Sequence, residues 1–503
     1  MSAPDDEFDV VVVGAGSSGA TLAARLSEVA SRRVLVVESG PDRVTGSGPT
    51  WLSDPDRLPP AEDPWVFHHP MELDGGRPAE LLSGRVVGGS GAVNGAYFVR
   101  PTRADLDGWA ARGNDLWAHE RVLPTFRRLE SDAEFGGSPL HGGTGPVPVT
   151  RRSHPLHPVT ESFFSACAAT GHDPHPDLND GVGEGWGPVP RNVDHRGRVS
   201  AATAYLDPAR SREHLVLRAE VTAQRVLADG DRVIGVEVTG ADGTTSVVRA
   251  ATVVLCAGAV GSPSLLWRSG IGPADQLRAV GVPVLVDAPG VGASGRNHPA
   301  IDLLYEPVDA VDLASGPLLQ GALRSTTSAG AVVELLAMCR PYGRATGDLP
   351  GDRLLSLRVS VMSDTPMVRL ERGSAGTTVI AGHLDDAAGR AALRDAVRTA
   401  DSLRASELSA VVATWLGPDP ATVAVDAALD AWIAEHLGTS MHLCSTVPMG
   451  PESDPTAPVD QLGRVRGVDG LRVADLSILP SAPTRGPACT AVMLGEHLAP
   501  TFG

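Results

Sequence analysis

Near its N-terminus the chain places a glycine-rich turn between two short apolar runs. Residues 8–13 are apolar except for Asp9, and such a run is typical of a strand buried on both faces of a parallel sheet. The turn at 14–19 has glycine at its first, third and sixth positions, and 20–26 place small and apolar side chains at helical spacing. A second apolar run, 34–37, ends in Glu38. This order predicts a Rossmann-like unit of strand, helix and strand.

Each residue of this unit has a physical task in binding a dinucleotide. Gly14 permits the tight turn, Gly16 lets the backbone approach a pyrophosphate, and Gly19 allows the helix to pack on the strand. The pyrophosphate then lies at the positive end of the helix, and Glu38 accepts hydrogen bonds from the adenosine ribose. The predicted binding residues of the unit are Gly14, Gly16, Ser17, Ser18, Gly19 and Glu38. A turn that serves packing alone is the competing interpretation, and the unit by itself does not distinguish FAD from NAD.

Two longer runs of small residues lie downstream. The first covers 84–94 and ends in Asn94. The second covers 258–266, continues through 269–272 and follows an apolar run at 252–256. Because such residues cannot fill a core by themselves, these runs indicate places where the backbone passes close to a large, flat group. Asn94 would direct a side-chain amide at that group.

The two runs resemble, in the same order, the two signature segments of the glucose–methanol–choline (GMC) family of flavoenzymes. The resemblance implies that the dinucleotide is FAD and that the first segment lies along the flavin. It adds the predicted cofactor-binding residues Arg85, Gly88, Gly89, Ser90, Asn94 and Ala257. Some family members carry a histidine joined covalently to FAD in the first segment. Val93 stands at that position, so FAD is expected to be bound non-covalently.

Three further segments carry the resemblance toward the C-terminus. Residues 215–226 look like the strand whose backbone meets the adenine, and 470–480 resemble the segment whose aspartate lies near the pyrophosphate and ribityl chain. Residues 487–498 read as a helix that starts on proline. In the family the N-terminus of this helix points at the flavin pyrimidine ring, where its dipole stabilises reduced flavin. The cofactor-binding residues predicted from these segments are Val221, Asp475, Pro487 and Thr490.

The segment 441–450 resembles the family segment that carries the catalytic histidine. Alcohol oxidation removes a hydroxyl proton while hydride leaves the adjacent carbon for flavin N5, and a neutral imidazole can accept the proton. His442 is therefore the predicted catalytic base. The family usually places a second histidine or an asparagine before the last helix, but Gly486 stands there. Backbone groups or atoms of a bulky substrate are candidates to fill the gap. Arg485 is expected to form a surface salt bridge, with stabilisation of an alkoxide as its alternative role.

The predicted fold class is α/β: a Rossmann-like, GMC-type FAD-binding domain with a discontinuous α+β substrate domain built on an antiparallel sheet. The FAD-binding domain is assigned residues 1–153, 191–300 and 438–503, and the substrate-binding domain residues 154–190 and 301–437. In the substrate domain, strands are predicted at 331–337, 354–361 and 377–380, and helices at 391–408 and 424–436.

Composition limits the partners and the location. The 503 residues contain no lysine and carry a net charge of −18, so a nucleic-acid partner is not expected. The five cysteines have no spacing typical of a metal site or a redox motif, which predicts reduced thiols and no metal. The sequence shows neither a signal pattern nor an apolar run of about 20 residues that could span a membrane. A cytoplasmic protein is expected, with peripheral contact to the inner face of the membrane left open.

The predicted function is FAD-dependent oxidation of an alcohol, by a dehydrogenase or an oxidase, with electrons passed to an acceptor other than NAD. The substrate, the acceptor (oxygen, a quinone or a protein carrier) and the oligomeric state stay open. The altered C-terminal motif, the short chain and the arginine-rich composition resemble the GMC proteins that accompany the mycofactocin system. That resemblance favours, as an alternative, oxidation of a reduced redox cofactor with transfer to a respiratory acceptor. An FAD-containing hydroxynitrile lyase and a non-catalytic electron-transfer flavoprotein also stay open as functions.

Overall fold

The computed structural model describes residues 7–43, 48–60, 62–152, 154–328, 330–341, 353–362, 367–373, 376–385 and 387–502. Across these residues the framework consists of two seven-stranded sheets, a five-stranded sheet and three two-stranded sheets. Among the helices described, none has the length and apolar character needed to cross a bilayer.

The first seven-stranded sheet is built on the N-terminal apolar runs. Its strands are β1 (Glu7–Val13), β2 (Val34–Val37), β10 (Leu215–Arg218), β11 (Val221–Asp229), β12 (Arg232–Gly240), β13 (Thr245–Leu255) and β25 (Leu471–Val473). β1 lies between β2 and β13 with parallel pairing on both sides, and β10 and β25 extend the parallel part. β11 and β12 add an antiparallel edge. The strands predicted at 8–13 and 34–37 are confirmed, and β2 is buried along its whole length.

The prediction of one strand at 215–226 is wrong, because the structure contains two strands there. β10 runs parallel to β2, and the chain then turns at Glu220, whose φ of 55° lies in the left-handed region. The Val221 N–H donates to the Glu38 carbonyl at 2.9 Å, and β11 leaves in antiparallel pairing with β12. Both strands have mixed burial and similar composition, so the sequence pattern does not mark the break. The turn keeps Val221 at the carboxyl end of β2.

The second seven-stranded sheet is antiparallel throughout. Its strands are β7 (Gly185–Pro188), β17 (Pro299–Pro307), β18 (Leu319–Thr326), β19 (Val332–Met338), β20 (Leu355–Val361), β23 (Val412–Trp415) and β24 (Gly438–Thr439). Alternate side chains, such as Leu357 and Val359 of β20, enter a second hydrophobic core. The strands predicted at 331–337 and 354–361 are confirmed.

The third sheet joins segments that are far apart in the chain. Its strands are β3 (Val66–Leu73), β4 (Arg77–Gly84), β16 (Gly295–Arg296), β21 (Met367–Gly373) and β22 (Gly376–Ala381). The small sheets pair β5 (Glu130–Asp132) with β6 (Val147–Val149), β8 (Val193–Asp194) with β9 (Gly197–Arg198), and β14 (Ile271–Gly272) with β15 (Val286–Asp287). β21 and β22 fall within 301–437, yet β22 pairs with β3, and buried residues of both strands belong to the core of the first sheet. The division into domains stays a prediction.

Eleven α-helices cover the sheets within the described residues. They are α1 (Ser17–Leu26), α2 (Arg103–Ala111), α3 (His119–Leu129), α4 (Pro158–Ala169), α5 (Asp207–Ala209), α6 (Gly258–Arg268), α7 (Ala274–Ala279), α8 (Ala387–Ala405), α9 (Pro420–Ala424), α10 (Asp426–His436) and α11 (Ala488–Leu498). Residues of α4, α8 and α10 complete the second core. The helices predicted at 391–408 and 424–436 are confirmed as α8 and α10, with slightly shifted ends. α11 begins one residue later than predicted, with Pro487 as its N-cap.

The first and last helices of the described chain pack tightly against each other. The Ser18 hydroxyl donates to the Ala491 carbonyl at 2.7 Å. A Cβ at Gly495 would lie 2.5 Å from the Ser18 carbonyl oxygen, so only glycine permits this approach. Further along, buried Glu496 accepts a 2.7 Å hydrogen bond from Arg25, a residue on the polar side of α1. These contacts bring the N-terminal turns of α1 and α11 to the same region.

A buried network of opposite charges supports the chain just after the first signature segment. The charged cluster consists of Arg100, Glu130, Asp132, His141, Arg151 and Asp177. Within the part of the chain that is described, Glu130, Asp132 and His141 are the one trio spaced as metal ligands. Arginines already pair with both carboxylates, at 2.5 Å for Arg100 and 2.8 Å for Arg151. We therefore interpret the group as an ion-pair network.

His141 is the centre of this charged cluster. Its Nδ1 lies 2.8 Å from Glu130 Oε1, and its Nε2 lies 2.9 Å from Asp177 Oδ2. Burial by itself would lower the pKa of His141, but the hydrogen bonds to Asp132, Asp177 and Glu130 outweigh burial and raise the pKa to about 10. The imidazole is therefore a cation at neutral pH.

Replacing His141 by glutamine is expected to destabilise the fold. The substitution removes a cation from between buried carboxylates, and this should lower the free energy of unfolding by about 3 kcal/mol. Because the folded pKa is raised above the usual 6.5, the stabilisation is complete below pH 6.5 and is lost as pH rises through about 10. The thermal midpoint of the variant should therefore fall below that of the wild type at pH 6, and the gap should close by pH 10. The exposed His195→Gln is the control, and a gap that does not depend on pH would contradict a cationic His141.

Candidate active site

The two glycine-rich segments of the N-terminal half meet with no side chain between them. The Gly88 N–H donates to the Ala15 carbonyl at 2.8 Å. A Cβ at Gly89 would lie 2.7 Å from the Gly16 Cα, well inside van der Waals contact. A Cβ at Gly91 would lie 2.4 Å from the Ser17 hydroxyl oxygen. The predicted pyrophosphate turn and the first signature segment therefore form one surface made mostly of backbone.

Glu38 lies at the end of β2 and is bound to this surface. Its Oε2 accepts from the Ala15 N–H at 2.9 Å, and its Oε1 accepts from the Gly40 N–H at 2.8 Å. Burial raises the pKa of Glu38, while the two backbone N–H groups oppose the rise. Val221, predicted to meet the adenine, is hydrogen-bonded through its N–H to the carbonyl of the same Glu38. The two residues predicted for the adenosine end thus lie side by side.

A narrow crevice continues from the turn to the N-terminus of α11. It is lined by Ser17, Gly91, Asn94, Phe98, Asn192, Ser200 and Ala488, among others. The buried Asn192 Oδ1 lines this crevice, and the buried Thr490 Oγ1 lies in the first turn of α11. Neither atom has a hydrogen-bond partner among the described residues. Buried polar atoms usually have partners, so these two fit a bound group that brings hydroxyl and phosphate oxygens.

Asp475 holds the second signature segment in place. Its Oδ2 accepts from the Gly258 N–H at 2.8 Å and from the Ser262 hydroxyl at 2.6 Å, and its Oδ1 accepts from the N–H and hydroxyl of Ser477. The Ala257 N–H donates to the same Ser262 hydroxyl at 3.2 Å. Burial raises the pKa of Asp475, and these hydrogen bonds oppose the rise. The carboxylate therefore fixes the start of α6 beside the first sheet.

Three further residues of the first signature segment make contacts within the protein. The Arg85 guanidinium lies 5.9 Å above the Phe67 ring and donates to the Pro64 carbonyl, and Ser90 Oγ accepts from the Gly84 N–H. Val93, at the position of the covalent histidine, is buried in a small apolar cluster. An aliphatic side chain offers no atom that can bond to a flavin.

The segment that carries His442 has a strained backbone. Met441 and Ser445 both adopt left-handed conformations, with φ of 61° and 60°. Such conformations are costly for residues other than glycine and often occur at functional sites. The His442 N–H donates to Asn297 Oδ1 at 2.9 Å, and the Cys444 N–H donates to the Arg296 carbonyl at 2.9 Å. The catalytic segment is thus fixed to the short strand that precedes β17.

His298 is a direct partner of His442 to which no sequence pattern pointed. The two Nδ1 atoms lie 3.0 Å apart, and the rings are nearly perpendicular, at 86°. Burial, together with the neighbouring His383, lowers the pKa of His298 to about 3. Burial is also the main reason that the pKa of His442 lies well below its usual value, with His298 and Arg358 adding to the effect. Both imidazoles are therefore neutral at physiological pH.

The other edge of the His442 ring faces Gly486. A Cβ at Gly486 would lie 3.7 Å from both Cε1 and Nε2 of His442 and 3.8 Å from Val99. The position that normally carries the second catalytic residue is therefore beside His442, and it presents no side chain. Arg485 is 1% exposed, so the expected surface salt bridge is wrong. The Arg485 guanidinium approaches the Val182 and Gly183 carbonyls instead, at 3.4 and 3.3 Å.

Two family models with the description GMC oxidoreductase match residues 8–300 and 368–495, which together cover the glycine turn, both signature segments and the histidine segment. The chain belongs to the GMC oxidoreductase family. It is 39% identical to an uncharacterized GMC-type oxidoreductase from the thcA 5′ region of Rhodococcus erythropolis, covering 98% of this chain and 97% of the relative. It is 32% identical to an oxygen-dependent choline dehydrogenase of Escherichia coli, covering 98% and 95%.

Solved structures show the same fold. Pyridoxine 4-oxidase from Mesorbium loti superposes with a TM-score of 0.89 at 27% identity, covering 98% of this chain and 99% of that one. An FAD-dependent oxidoreductase from Chaetomium thermophilum superposes with a TM-score of 0.83 at 22% identity, covering 98% of both chains. The predicted family, fold class and FAD cofactor are confirmed. This GMC oxidoreductase is an FAD-dependent enzyme that oxidises alcohols.

The fold brings most of the predicted residues together around one crevice and one histidine. The residues that sequence reasoning missed are Asn192, Asn297, His298 and Arg358. None of them belongs to a glycine-rich run, and each reaches the site through the fold. Asn297 and His298, an asparagine–histidine pair directly before the largely apolar strand β17, are the one signal that could have found part of this set.

Replacing Gly89 by alanine is expected to weaken FAD binding about tenfold or more, because the new Cβ meets the Gly16 Cα and the left-handed φ of 54° is unfavourable for alanine. The ratio of flavin to protein absorbance after purification and dialysis measures the effect. Gly108→Ala in α2 is the matched control, because nothing lies within 4 Å of its Cβ. Full FAD content in Gly89→Ala would show that the two segments do not need this close approach.

Proposed function

We propose that this enzyme oxidises a CH–OH group with His442 as the catalytic base, and that its electrons pass to an acceptor other than NAD. The observation that supports this most is the placement of a buried, neutral imidazole whose Nε2 lies 3.7 Å from the position of a Cβ at Gly486, where the protein presents no side chain. When bound, FAD supplies the acceptor for the hydride that leaves the alcohol carbon. The protein supplies the base, the orientation and the electrostatics.

A neutral His442 can accept a proton without first losing one. Burial disfavours the imidazolium, so the base form persists at pH values where an ordinary histidine would be half protonated. Transfer of the hydroxyl proton to Nε2 then places a charge beside the neutral His298. The cost of that charge is lowest when the proton transfer and the loss of the hydride's electron pair coincide, because no isolated cation then accumulates in the buried site.

His298 selects the tautomer of His442 that can act. Only one proton fits between two Nδ1 atoms that are 3.0 Å apart. If that proton belongs to His442, its Nε2 is bare on the ring edge beside Gly486. The Nδ1 of His298 then accepts, and the proton of His298 lies on Nε2, an atom with no hydrogen-bond partner among the described residues. The short contact between the two Nδ1 atoms thus couples the proton positions of both rings.

The predicted cofactor-binding residues would hold FAD through close backbone approach and through the dipoles of two helices. Gly14, Gly16, Ser17, Ser18 and Gly19 would hold the pyrophosphate at the start of α1, and Glu38 and Val221 would hold the adenosine end. Pro487 and Thr490 lie at the N-terminus of α11, whose positive end would favour negative charge on the flavin ring. Val93 leaves the cofactor non-covalent.

The missing side chain at Gly486 is compatible with a substrate that brings its own bulk to the site. The atoms nearest to a Cβ there belong to His442 and Val99 and lie at ordinary contact distances, so a histidine or asparagine is absent for a reason other than backbone crowding. A reduced redox cofactor of the mycofactocin type is the alternative substrate, with a respiratory acceptor. Anaerobic bleaching of the flavin by small primary alcohols would support the first proposal, and bleaching only by the large cofactor would support the alternative.

His442→Ala is expected to slow flavin reduction by an alcohol about 100- to 10,000-fold while FAD stays bound. Anaerobic stopped-flow absorbance measures the rate, and His195→Gln is the control. An unchanged rate would reject His442 as the base. Release of cyanide from a cyanohydrin by an enzyme whose flavin no alcohol reduces would favour the lyase interpretation instead.

His298→Leu is expected to slow flavin reduction about 10- to 100-fold, because it frees His442 to adopt the inactive tautomer. His298→Asn offers an acceptor oxygen near the former Nδ1 and should recover much of the rate. The acid limb of kcat/KM should lie well below pH 6.5 in the wild type, because the base is a histidine whose pKa is lowered by burial and by His298. It should move upward in His298→Leu. Equal rates in the two variants would show that His298 only fills space.

A further inference from the structure

A second polar group lies on the sheet face that points away from the second core. Leu323, Val333 and Leu335 enter that core, so Arg324 and Glu334, each one residue along its strand, lie on the opposite face. They are direct cross-strand partners in β18 and β19. Both are buried, at 5% and 2% exposure. The two ionisable side chains thus lie side by side on a buried face to which β20 also contributes polar residues, among them Arg358 and Ser360.

Two residues from the active-site loops complete this group, which we call the arginine pocket: Tyr97, Arg324, Glu334 and Arg485. The Tyr97 hydroxyl donates to Glu334 Oε1 at 3.0 Å. Burial raises the pKa of Glu334, and the nearby Arg485 is the strongest influence opposing the rise. Arg324 Nη2 donates to the Thr484 hydroxyl at 2.6 Å. The pocket therefore holds two guanidinium groups and one carboxylate, and Asp105 adds a second negative charge near Arg324.

The guanidinium groups have more donors than the pocket has acceptors. Nε and Nη1 of Arg324 and the same two atoms of Arg485 are buried and have no hydrogen-bond partner among the described residues. Nearby Asp105 accepts from the Thr102 N–H and from the N–H and hydroxyl of Thr484 and places a negative charge close to Arg324, but neither Nε nor Nη1 of Arg324 bonds to it. An unmet donor on a buried charged group is costly, so a ligand with oxygen acceptors would bind here favourably.

The arginine pocket adjoins the base through two loops. Arg485 precedes Gly486, which faces His442, and Tyr97 lies two residues before Val99, which is the other neighbour of the Gly486 position. Since consecutive Cα atoms are about 3.8 Å apart, the backbone of Arg485 lies next to the residue that faces the His442 ring. The loop that carries Arg485 and Gly486 therefore joins the arginine pocket to His442.

We propose that the arginine pocket binds a carboxylate carried by the alcohol substrate, so that the enzyme oxidises hydroxyl groups of acidic molecules. Oxidation of the hydroxyl group rests on the proposed function, whereas recognition of the carboxylate rests on the arginine pocket alone. A guanidinium presents parallel N–H groups that match the two oxygens of a carboxylate. Binding of the carboxylate at Arg324 and Arg485 would fix the acidic end of the substrate and leave its hydroxyl beside His442. The two arginines would then orient the substrate in place of the side chain that Gly486 lacks.

Two isosteric pairs of probes test the proposal. Benzoate and benzamide are not oxidised, so perturbation of the flavin absorbance of the wild-type holoenzyme reports binding without turnover. Benzoate is expected to bind about 30-fold or more tightly than benzamide. Para-hydroxymethylbenzoate should likewise reduce the flavin with a much lower KM than para-hydroxymethylbenzamide, with a similar limiting rate.

Variants locate the site. Arg324→Met and Arg485→Met should each weaken benzoate binding about 30-fold and leave benzamide binding unchanged. Arg485→Lys keeps the charge and should recover part of the affinity. The exposed Arg278→Met is the control, and the flavin spectrum confirms that each variant is folded.

The outcomes separate this proposal from the proposed function. Equal binding of benzoate and benzamide, or benzoate binding that both methionine variants leave unchanged, would overturn the carboxylate site even if alcohols reduce the flavin. Tight, arginine-dependent benzoate binding in an enzyme whose flavin no alcohol reduces would support the carboxylate site and reject the proposed function. If the enzyme instead prefers uncharged polyols and both methionine variants lose that preference, the carboxylate proposal is overturned and the ligand of the arginine pocket is a neutral, oxygen-rich group.

Discussion

Backbone passes directly against backbone where Gly16 meets Gly89, and the cofactor site is organised around that contact. With a Cβ position only 2.7 Å from the opposing Cα, no side chain can separate the two segments. The same need for close approach recurs where Gly495 of α11 meets Ser18 of α1. Three segments from distant parts of the chain therefore share one surface of N–H groups and helix N-termini, which suits a long anionic cofactor.

Burial decides the chemistry of the histidine beside that surface. His442 would be partly protonated in water near neutral pH, but the surrounding protein keeps it neutral, and Asn297 and His298 fix its position and its proton. The same burial leaves Arg324 and Arg485 with unmet donors. We infer that a neutral base and a cationic pocket on one loop would distinguish the hydroxyl end of a substrate from its acidic end.

Local sequence patterns predicted the parts of the site whose structure depends on neighbouring residues alone. The glycine turn, the buried strands β1 and β2 and the helix α11 each perform their role within a few residues, so spacing and composition were sufficient. The break at Glu220 was missed because the strands on its two sides have the same mixture of apolar and polar residues, so the pattern continues through a change of partner strand. Arg485 was expected at the surface because an arginine beside glycine and proline usually lies there, and only the packing of the 182–183 loop over it shows otherwise.

The sequence by itself determined that the chain builds a dinucleotide fold, because glycine spacing and apolar periodicity constrain the backbone directly. The resemblance of its longer motifs to the GMC family added FAD and the segment of the histidine. The tertiary structure alone decided which groups meet that histidine. His298 and His442 are 144 positions apart, and Tyr97 and Glu334 are 237 apart. Contacts at such separations depend on how sheets and loops stack, and the pKa values that follow from them depend on burial, which no short pattern encodes.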